Sequence, residues 1–281
     1  MSISFILITF LFQMSVGMVV TVSILPPAII DHNFFRSISF WSWFFTGIGL
    51  FFWHKATFTL PEIFGGTLPP ESTHLTTVFM WAFALLCFQL WFRIRWLGFG
   101  TSRPELFFIS AVGLVATVVS SLIFRPLLPP AWAQNILVPL HFVSASLVLG
   151  GFLAGMIFGH FYLVTVDMPK RLLVTMAWIL IAVMALRVFA FGTTLFVFDH
   201  WVKPDSNFLA ALTDFMGHGI FFWQRVLVGL LIPSVVVAMI YSTARIGSNQ
   251  SATGIMYVAI AFIFIGELAA RYLFILSAIP L

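Results

Sequence analysis

The apolar residues of the chain gather in eight long stretches, each bounded by prolines, glycines or charged residues. About 20 consecutive apolar residues are needed for a helix to cross the hydrocarbon core of a bilayer. The pattern therefore predicts an all-α, polytopic membrane bundle of eight transmembrane helices, forming one integral membrane domain over residues 1–281. The predicted spans are 3–25, 37–54, 74–96, 105–124, 136–166, 172–197, 216–245 and 254–279.

The composition favours the same fold and excludes a water-soluble protein. The 281 residues are 61% hydrophobic and only 8% charged, whereas soluble domains carry about 25% charged residues. A chain with so few charges cannot cover its own surface in water, so its solvent must be lipid. The net charge of +4 then indicates basic loops that set membrane topology, and not nucleic-acid binding.

The distribution of charges predicts an orientation. Basic loops stay on the cytoplasmic side of a membrane, and they follow the odd-numbered spans, so we expect both termini to face the periplasm of a bacterial inner membrane. The N-terminal stretch has no basic region or cleavage pattern, and we expect it to be retained as the first span. The loops after odd-numbered spans carry Arg36, Arg93, Arg95, Arg103, Lys170, Arg171 and Arg245, and those after even-numbered spans carry Lys55, Arg125 and Lys203 beside Glu62, Glu71, Asp199, Asp205 and Asp214.

A few polar side chains fall inside the predicted spans. Burial in hydrocarbon is costly, so each of them needs a partner or a function. A helix rises about 1.5 Å per residue, which places most of these residues in the outer half of the membrane. They are Gln13, Gln89, His141, His160, Arg187, Gln224, Arg225, Glu267 and Arg271.

Two compatible interpretations explain this outer cluster. Glu267 and Arg271 share a helix face at i,i+4 spacing and can form a structural ion pair that joins the last two spans. The same residues can form a polar pocket for the head group of a quinol, whose oxidation releases two protons and needs a protonatable acceptor. Glu267 is then the candidate catalytic residue, and Gln13, His141, Arg225 and Arg271 are candidates for binding the quinone.

The metal-ligating residues predict neither an iron–sulfur cluster nor haem in this chain. Cys87 is the single cysteine, too few for a cluster or a thiolate zinc site. His141 and His160 are 19 residues apart, about 28 Å along a helix, as two stacked haems would require. His54 and His218 are possible second ligands near the outer face, but only His32, beside Asp31, lies near His160. A b-type cytochrome is therefore an alternative and not the main hypothesis.

Four short segments resemble the membrane-anchor subunits of dimethyl-sulfoxide-reductase-type, quinol-linked complexes, a group that includes polysulfide- and nitrite-reductase-like enzymes. The segments are FIGELAARYLF in the eighth span, WQRVLVG in the seventh, FLFQMSVGMVV in the first and GIGLFFWH in the second. The resemblance implies a haem-free subunit that oxidises menaquinol near the outer face. It also implies a partner subunit with iron–sulfur clusters that feeds a molybdenum enzyme. His54, Arg225, Glu267 and Arg271 would line or support the quinol site, with Gln13 close by.

Other functions stay open at this point. The chain can be a scaffold in a larger respiratory or photosynthetic complex without turning over quinol itself. A transporter is disfavoured, because the sequence has no internal repeat and no paired broken helices. The outer loops 55–73 and 198–215 are candidate docking surfaces or lids, and Gly151 and Gly155 form a small-xxx-small step that predicts close helix packing.

Overall fold

The computed structural model of the protein describes residues 3–55, 70–124, 131–165, 168–202, 212–215 and 219–281. These residues form eight long helices and no strand, which confirms the predicted helical bundle. The helices are α1 (Ile3–Ser23), α2 (His32–Lys55), α3 (Pro70–Trp96), α4 (Arg103–Leu122), α5 (Ala131–Val164), α6 (Lys170–Val197), α7 (Gly219–Arg245) and α8 (Asn249–Ser277). Of the two predicted docking loops, 55–73 and 198–215, residues 56–69 and 203–211 lie outside the described residues, as do Arg125 and His218.

Among the described helices, seven are long and apolar enough to cross a membrane, as expected of a multi-pass membrane protein. The remaining helix, α2, has 24 residues and spans roughly 36 Å, which matches the others in length. Its hydroxyl side chains make it less apolar. Ser42 and Thr46 are buried, and the Ser42 hydroxyl donates to the carbonyl oxygen of Ser15 in α1 at 3.3 Å. These small polar residues therefore face a neighbouring helix, where they allow close packing.

Helix α2 begins at His32, five residues before the predicted span at 37. The helix starts earlier because Asp31 caps its N-terminus, and the hydropathy pattern does not reveal such a cap. The Asp31 carboxylate accepts a hydrogen bond from the backbone N–H of Asn33 at 2.9 Å, and its carbonyl accepts from the N–H of Phe34 at 3.0 Å. Asp at this position satisfies N–H groups that have no partner within the first turn.

The eight helices pack as two groups of four. In the first group α1 packs on α2, α2 on α3, α3 on α4, and α4 back on α1; in the second, α5 packs on α6, α6 on α7, α7 on α8, and α8 back on α5. The groups meet mainly where α1 packs along α5, with smaller contacts between α1 and α8 and between α4 and α5. The start of α1 and the end of α8 lie at one end of the bundle, where Phe5, Phe142 and Phe274 line a common cavity.

The opposite end of the bundle is basic. Seven of the lysines and arginines lie there, at the helix termini that the charge pattern had grouped together. We call it the basic end; its residues are Arg36, Arg93, Arg95, Arg103, Lys170, Arg171 and Arg245. The Arg93 guanidinium pairs there with the Glu105 carboxylate, joining α3 to α4. The structure therefore separates a basic end from an end that holds the chain termini.

Two glycine pairs bring helices into backbone contact. A Cβ atom on Gly150 would lie 2.4 Å from Cα of Gly17, where α5 crosses α1. A Cβ atom on Gly266 would lie 2.1 Å from Cα of Gly229, where α8 crosses α7. Gly155, one of the two glycines predicted to pack closely, instead faces the Leu180 side chain. Only glycine fits at the two crossings, and the second one adjoins the polar cluster described below.

Candidate functional site

The buried polar residues of the second helix group converge on one carboxylate. Arg187 comes from α6, Arg225 from α7, and Glu267 with Arg271 from α8. Glu267 is 1% exposed and Arg225 is 0% exposed, and the other two side chains are also buried. Ionic groups in this setting have lost their hydration, so the contacts within the cluster must stabilise them.

Arginines contact both oxygens of the Glu267 carboxylate. Arg187 forms a bidentate pair, with Nε donating to Oε1 at 2.8 Å and Nη2 donating to Oε2 at 3.0 Å. Arg271 Nη1 donates to Oε2 at 3.2 Å and to the backbone carbonyl of Glu267 at 2.8 Å. Arg225 Nη1 lies 3.0 Å from Oε1, but its N–H bonds are not aligned for a hydrogen bond to any described residue. The contact of Arg225 is therefore electrostatic.

The approach of Arg225 to Glu267 depends on the glycine crossing of α7 and α8. Gly229 lies one turn after Arg225, and Gly266 precedes Glu267. A π-type stretch, Leu227–Leu231, follows Arg225 and ends just before Pro233. Proline has no N–H group and cannot continue the helical hydrogen-bond pattern, and a wider turn accommodates this loss. The local sequence thus provides the close approach and the irregular turn that place a guanidinium against the carboxylate.

His141 is held in a defined neutral form. Arg187 Nη1 lies 2.9 Å from Nδ1 of His141, and because arginine has only donors, Nδ1 must accept. Nε2 then carries the hydrogen and donates to the carbonyl of Ala190 at 3.0 Å, with the Thr194 hydroxyl at 2.8 Å. Both ring nitrogens are occupied, so the ring has no free position for a haem iron. His141 orients Arg187, which also donates to Ser144 at 3.1 Å.

Gln13 links the cluster to the first helix group. Its side-chain oxygen accepts a hydrogen bond from Arg271 Nη2, across the junction between α1 and α8. The Arg271 guanidinium also lies over the Phe10 ring, 5.3 Å from its centroid, in a cation–π contact. Arg271 therefore contacts α1 and Glu267 at once, and through it the cluster ties the two helix groups together.

A small cavity opens beside these side chains, between the two helix groups. It has a volume of about 30 Å³ and its polar lining comes from Gln13, His141, Arg187, Glu267 and Arg271. An internal cavity of this volume holds roughly two water molecules. Its apolar lining is Phe5, Phe142, Ala145, Ala270, Phe274, Pro280 and Leu281.

Residues 278–281 close one side of the cavity. Ala278 adopts a left-handed conformation with φ of 57°, which ends α8 and turns the chain back into the bundle. Pro280 and Leu281 then line the cavity, and a main-chain oxygen of Leu281 accepts a hydrogen bond from Arg187 Nη2 at 3.2 Å. This segment occupies space that a larger molecule would need in order to reach the cluster.

The structure gathers five of the six residues that the sequence indicated as a site. Gln13, His141, Arg225, Glu267 and Arg271 lie within one connected network. His54 lies apart from it. Its ring is exposed on the side of α2 that faces α3, where Nε2 accepts a hydrogen bond from Trp81 Nε1 at 3.2 Å.

Arg187 is the residue that the sequence reasoning missed as part of the site. It was one of the polar residues within the spans, at a depth comparable with that of Glu267, but no spacing rule pairs residues on different helices. The sequence feature that could have identified Arg187 is the small number of charged residues within the spans. A membrane helix rarely carries an arginine without a partner, and Glu267 is the acidic residue at that depth.

The other histidines do not assemble a metal site in the described residues. His160 is exposed near the end of α5 and lies 3.5 Å from the hydroxyl of Tyr257, while His32 lies against Gly100 at the basic end. No group of three His, Cys, Asp or Glu side chains suited to a metal ion occurs in the part of the chain that the structure describes.

Comparison with known proteins leaves the family open. No family model, curated protein or solved structure matches this chain. The resemblance to the quinol-linked anchor subunits therefore stays a hypothesis, which depends on the four short segments quoted above.

Proposed function

We propose that the chain is the membrane-anchor subunit of a respiratory-type electron-transfer complex and that its buried cluster binds the head group of a quinol. The observation that carries this proposal is the convergence of Gln13, Arg187, Glu267 and Arg271 on a cavity inside a bundle of apolar helices. Guanidinium and amide groups supply hydrogen-bond donors to quinone oxygens, and the carboxylate and Gln13 supply acceptors for quinol hydroxyls. In this role the quinol replaces one of the arginine contacts of Glu267, which then takes up the proton, and the arginines hold the quinol oxygens.

The proposal also covers the orientation of the subunit in the membrane and its partner subunit. The basic end fits a cytoplasmic position by the positive-inside rule, which puts both termini and the cluster toward the periplasm of a bacterial inner membrane. Electrons from quinol, menaquinol in the anchor subunits that the four segments resemble, would pass to a partner subunit that carries iron–sulfur clusters.

A quinol head group needs more room than the cavity has, so binding requires a movement. Pro280 and Leu281 line the cavity, and among the described residues a single side chain, Arg187, donates a hydrogen bond to the main-chain oxygen of Leu281. Displacement of residues 278–281 widens the cavity without separating the helices. The proposal therefore requires that quinol displaces residues 278–281 from the cavity when it binds.

The experiment that tests the proposal compares two glutamines in the same membrane protein. Gln13→Leu removes a polar group from the cavity, whereas Gln89→Leu changes an exposed side chain on α3. We expect Gln13→Leu to lower quinol oxidation by the native complex at least about tenfold, the effect of losing one hydrogen bond of ~1.4 kcal/mol in the binding or transition state. Gln89→Leu leaves the rate unchanged.

Photo-crosslinking with an azido-quinone locates the site independently of turnover. We expect the label on peptides from the start of α1, the first half of α5 and the end of α8, which together line the cavity. Labelling confined to other helices, or equal rates for the two glutamine variants, would refute quinol binding at the cluster.

A structural scaffold is the second candidate, and the small volume of the cavity favours it. In that case the ion network only joins α6, α7 and α8 and ties them to α1. Azido-quinone then labels no cavity-lining peptide, and Gln13→Leu lowers the stability of the complex without a specific loss of quinol oxidation.

A further inference from the structure

Gln89 is a polar side chain on the outer surface of α3, away from the cluster and exposed. The span Thr73–Trp96 has 24 residues and a length of about 36 Å, so it exceeds the hydrocarbon core of about 30 Å by roughly 3 Å at each end. Gln89 lies seven residues before Trp96, about 10 Å along the helix. Its exposed amide is therefore placed inside the hydrocarbon, on the side of the basic end.

The amide of Gln89 has no hydrogen-bond partner in the described part of the chain. Arg93, one turn away, is paired with Glu105. An amide has two N–H donors and an acceptor oxygen, and lipid tails bind none of them, so its exposure to lipid is costly. The exposed hydroxyl of Ser242 on α7 avoids this cost by donating to the carbonyl oxygen of Ala238 at 2.9 Å. The unpaired amide of Gln89 indicates that a polar group of another molecule covers it.

The surface of α3 around Gln89 has room for another helix. Among the described helices α3 packs on α2 and α4, and only 33% of its most apolar stretch is buried, against 72% for α1. Its outer face repeats at alternating steps of three and four residues, the spacing at which one helix packs along another in a left-handed crossing. Gln89 is the polar member of this row, which consists of Leu75, Val78, Ala82, Leu85, Gln89, Phe92 and Trp96.

We propose that a second copy of this chain covers this face, with the two α3 helices packed in parallel and Gln89 bonded to Gln89 of the other copy. Two copies inserted in the same direction are related by a two-fold axis along the membrane normal, which places each residue at the depth of its equivalent. An amide is complementary to itself, because the N–H₂ group of one donates to the oxygen of the other. A single polar residue in an apolar row also fixes the register of the two helices.

The dimer is independent of quinol binding. Helix α3 belongs to the first group of four helices, whereas Glu267 and its three arginine partners belong to the second. Each copy therefore contains a complete cluster, and the contact between copies leaves α5–α8 free for another subunit. The substitution Gln89→Leu separates the copies without changing the surroundings of Glu267.

Association of the full-length chain in lipid vesicles tests the proposal. Energy transfer between dye-labelled copies is measured while the chain is diluted with lipid. We expect Gln89→Leu to weaken dimerisation about 5- to 30-fold, as for the loss of hydrogen bonds between membrane helices. Gln89→Asn keeps an amide and should retain most of the affinity, and Ser242→Ala, which removes an exposed hydroxyl, should retain all of it. Leucine suits a lipid-facing position, so Gln89→Leu should insert and fold normally.

Cysteine cross-linking in native membranes identifies the face that is covered. The single native cysteine, Cys87, is buried, so an added cysteine is the accessible one. We expect Leu85→Cys, in the exposed row of α3, to form a disulfide between two copies on oxidation, and Phe189→Cys, exposed on α6, not to form one. A chain that stays monomeric at every dilution, a dimer that Gln89→Leu leaves intact, or a Leu85→Cys cross-link to a different protein alone would each overturn the proposal.

Discussion

Two contacts between an arginine and a glutamate join helices in two parts of this protein, one at the basic end and one inside the bundle. At the basic end, Arg93 of α3 pairs with Glu105 of α4, and the two side chains are 29% and 22% exposed. In the cluster, Arg187 of α6 pairs with Glu267 of α8, and the side chains are 3% and 1% exposed. The chemical groups are the same, but the first pair is partly exposed and the second is buried.

The difference in exposure decides how much each contact contributes to the stability of the protein. Exposed pairs contribute about 0–1 kcal/mol because water and salt stabilise the separated charges nearly as well. A buried pair has paid a desolvation cost, so removal of one partner leaves a charge that nothing else stabilises. At the basic end the surplus arginines, such as Arg95, reach solvent. In the cluster the arginines are enclosed, and the carboxylate that all three of them contact is Glu267.

The largest expected effect comes from removing the shared carboxylate. Glu267→Gln leaves Arg187, Arg225 and Arg271 buried without a counter-charge, and we expect a loss of stability of about 3–5 kcal/mol. Unfolding in detergent, by heat or by denaturant, measures it. The matched control is Glu105→Gln, which removes the exposed partner of Arg93 and should cost less than about 1 kcal/mol. Similar losses in the two variants would show that burial does not set the difference.

An intermediate effect is expected at the glycine crossing that brings Arg225 to Glu267. A Cβ atom on Gly229 would lie 2.6 Å from Cα of Gly266, so Gly229→Ala must push α7 away from α8. We expect a loss of about 1–3 kcal/mol, as for overpacked cores.

Gly47→Ala is the control for that substitution, because no atom of another helix in the described part of the chain lies within 4 Å of the added Cβ. It should be neutral or stabilising by up to about 1 kcal/mol, since alanine has the higher helix propensity. If Gly229→Ala is as stable as Gly47→Ala, the close crossing of α7 and α8 is not required.

The smallest effect is expected at the basic end. A double-mutant cycle with Arg93→Gln and Glu105→Gln should give a coupling energy of about 0.2–1 kcal/mol that decreases with added salt. A coupling that exceeds this range and resists salt would mean that the pair is shielded from solvent by a partner or by lipid head groups.

The helices were largely predictable from the sequence, and the reason is that lipid imposes length and apolarity on each span. The start of α2 was missed because the cap at Asp31 is a local hydrogen-bond feature within a polar stretch. The grouping into two sets of four helices was not predictable, since all apolar helix faces look alike when no hydrophobic force selects the partner. Close approach at Gly229–Gly266 joins α7 to α8 within the second group, and close approach at Gly17–Gly150 sets where the two groups meet.

The site was predictable in part for a similar reason. Because burial of a polar or charged side chain in hydrocarbon is costly, such residues can be recognised from the sequence without knowledge of their neighbours. They are Gln13, His141, Arg225, Glu267 and Arg271. His54 was included on the resemblance of GIGLFFWH, and a motif does not reveal which side of a helix its last residue faces. The orientation of the termini and the quinol remain predictions to be tested by the experiments above.

The sequence by itself determined that this protein is a bundle of membrane-crossing helices and that a few charged groups are buried in it, because hydropathy and charge are properties of each residue alone. Only the tertiary structure decided that three arginines share one carboxylate, that His141 is neutral and orients Arg187, and that a cavity of about 30 Å³ lies beside them. These features depend on distances between side chains of different helices, and those distances are set by how the helices pack.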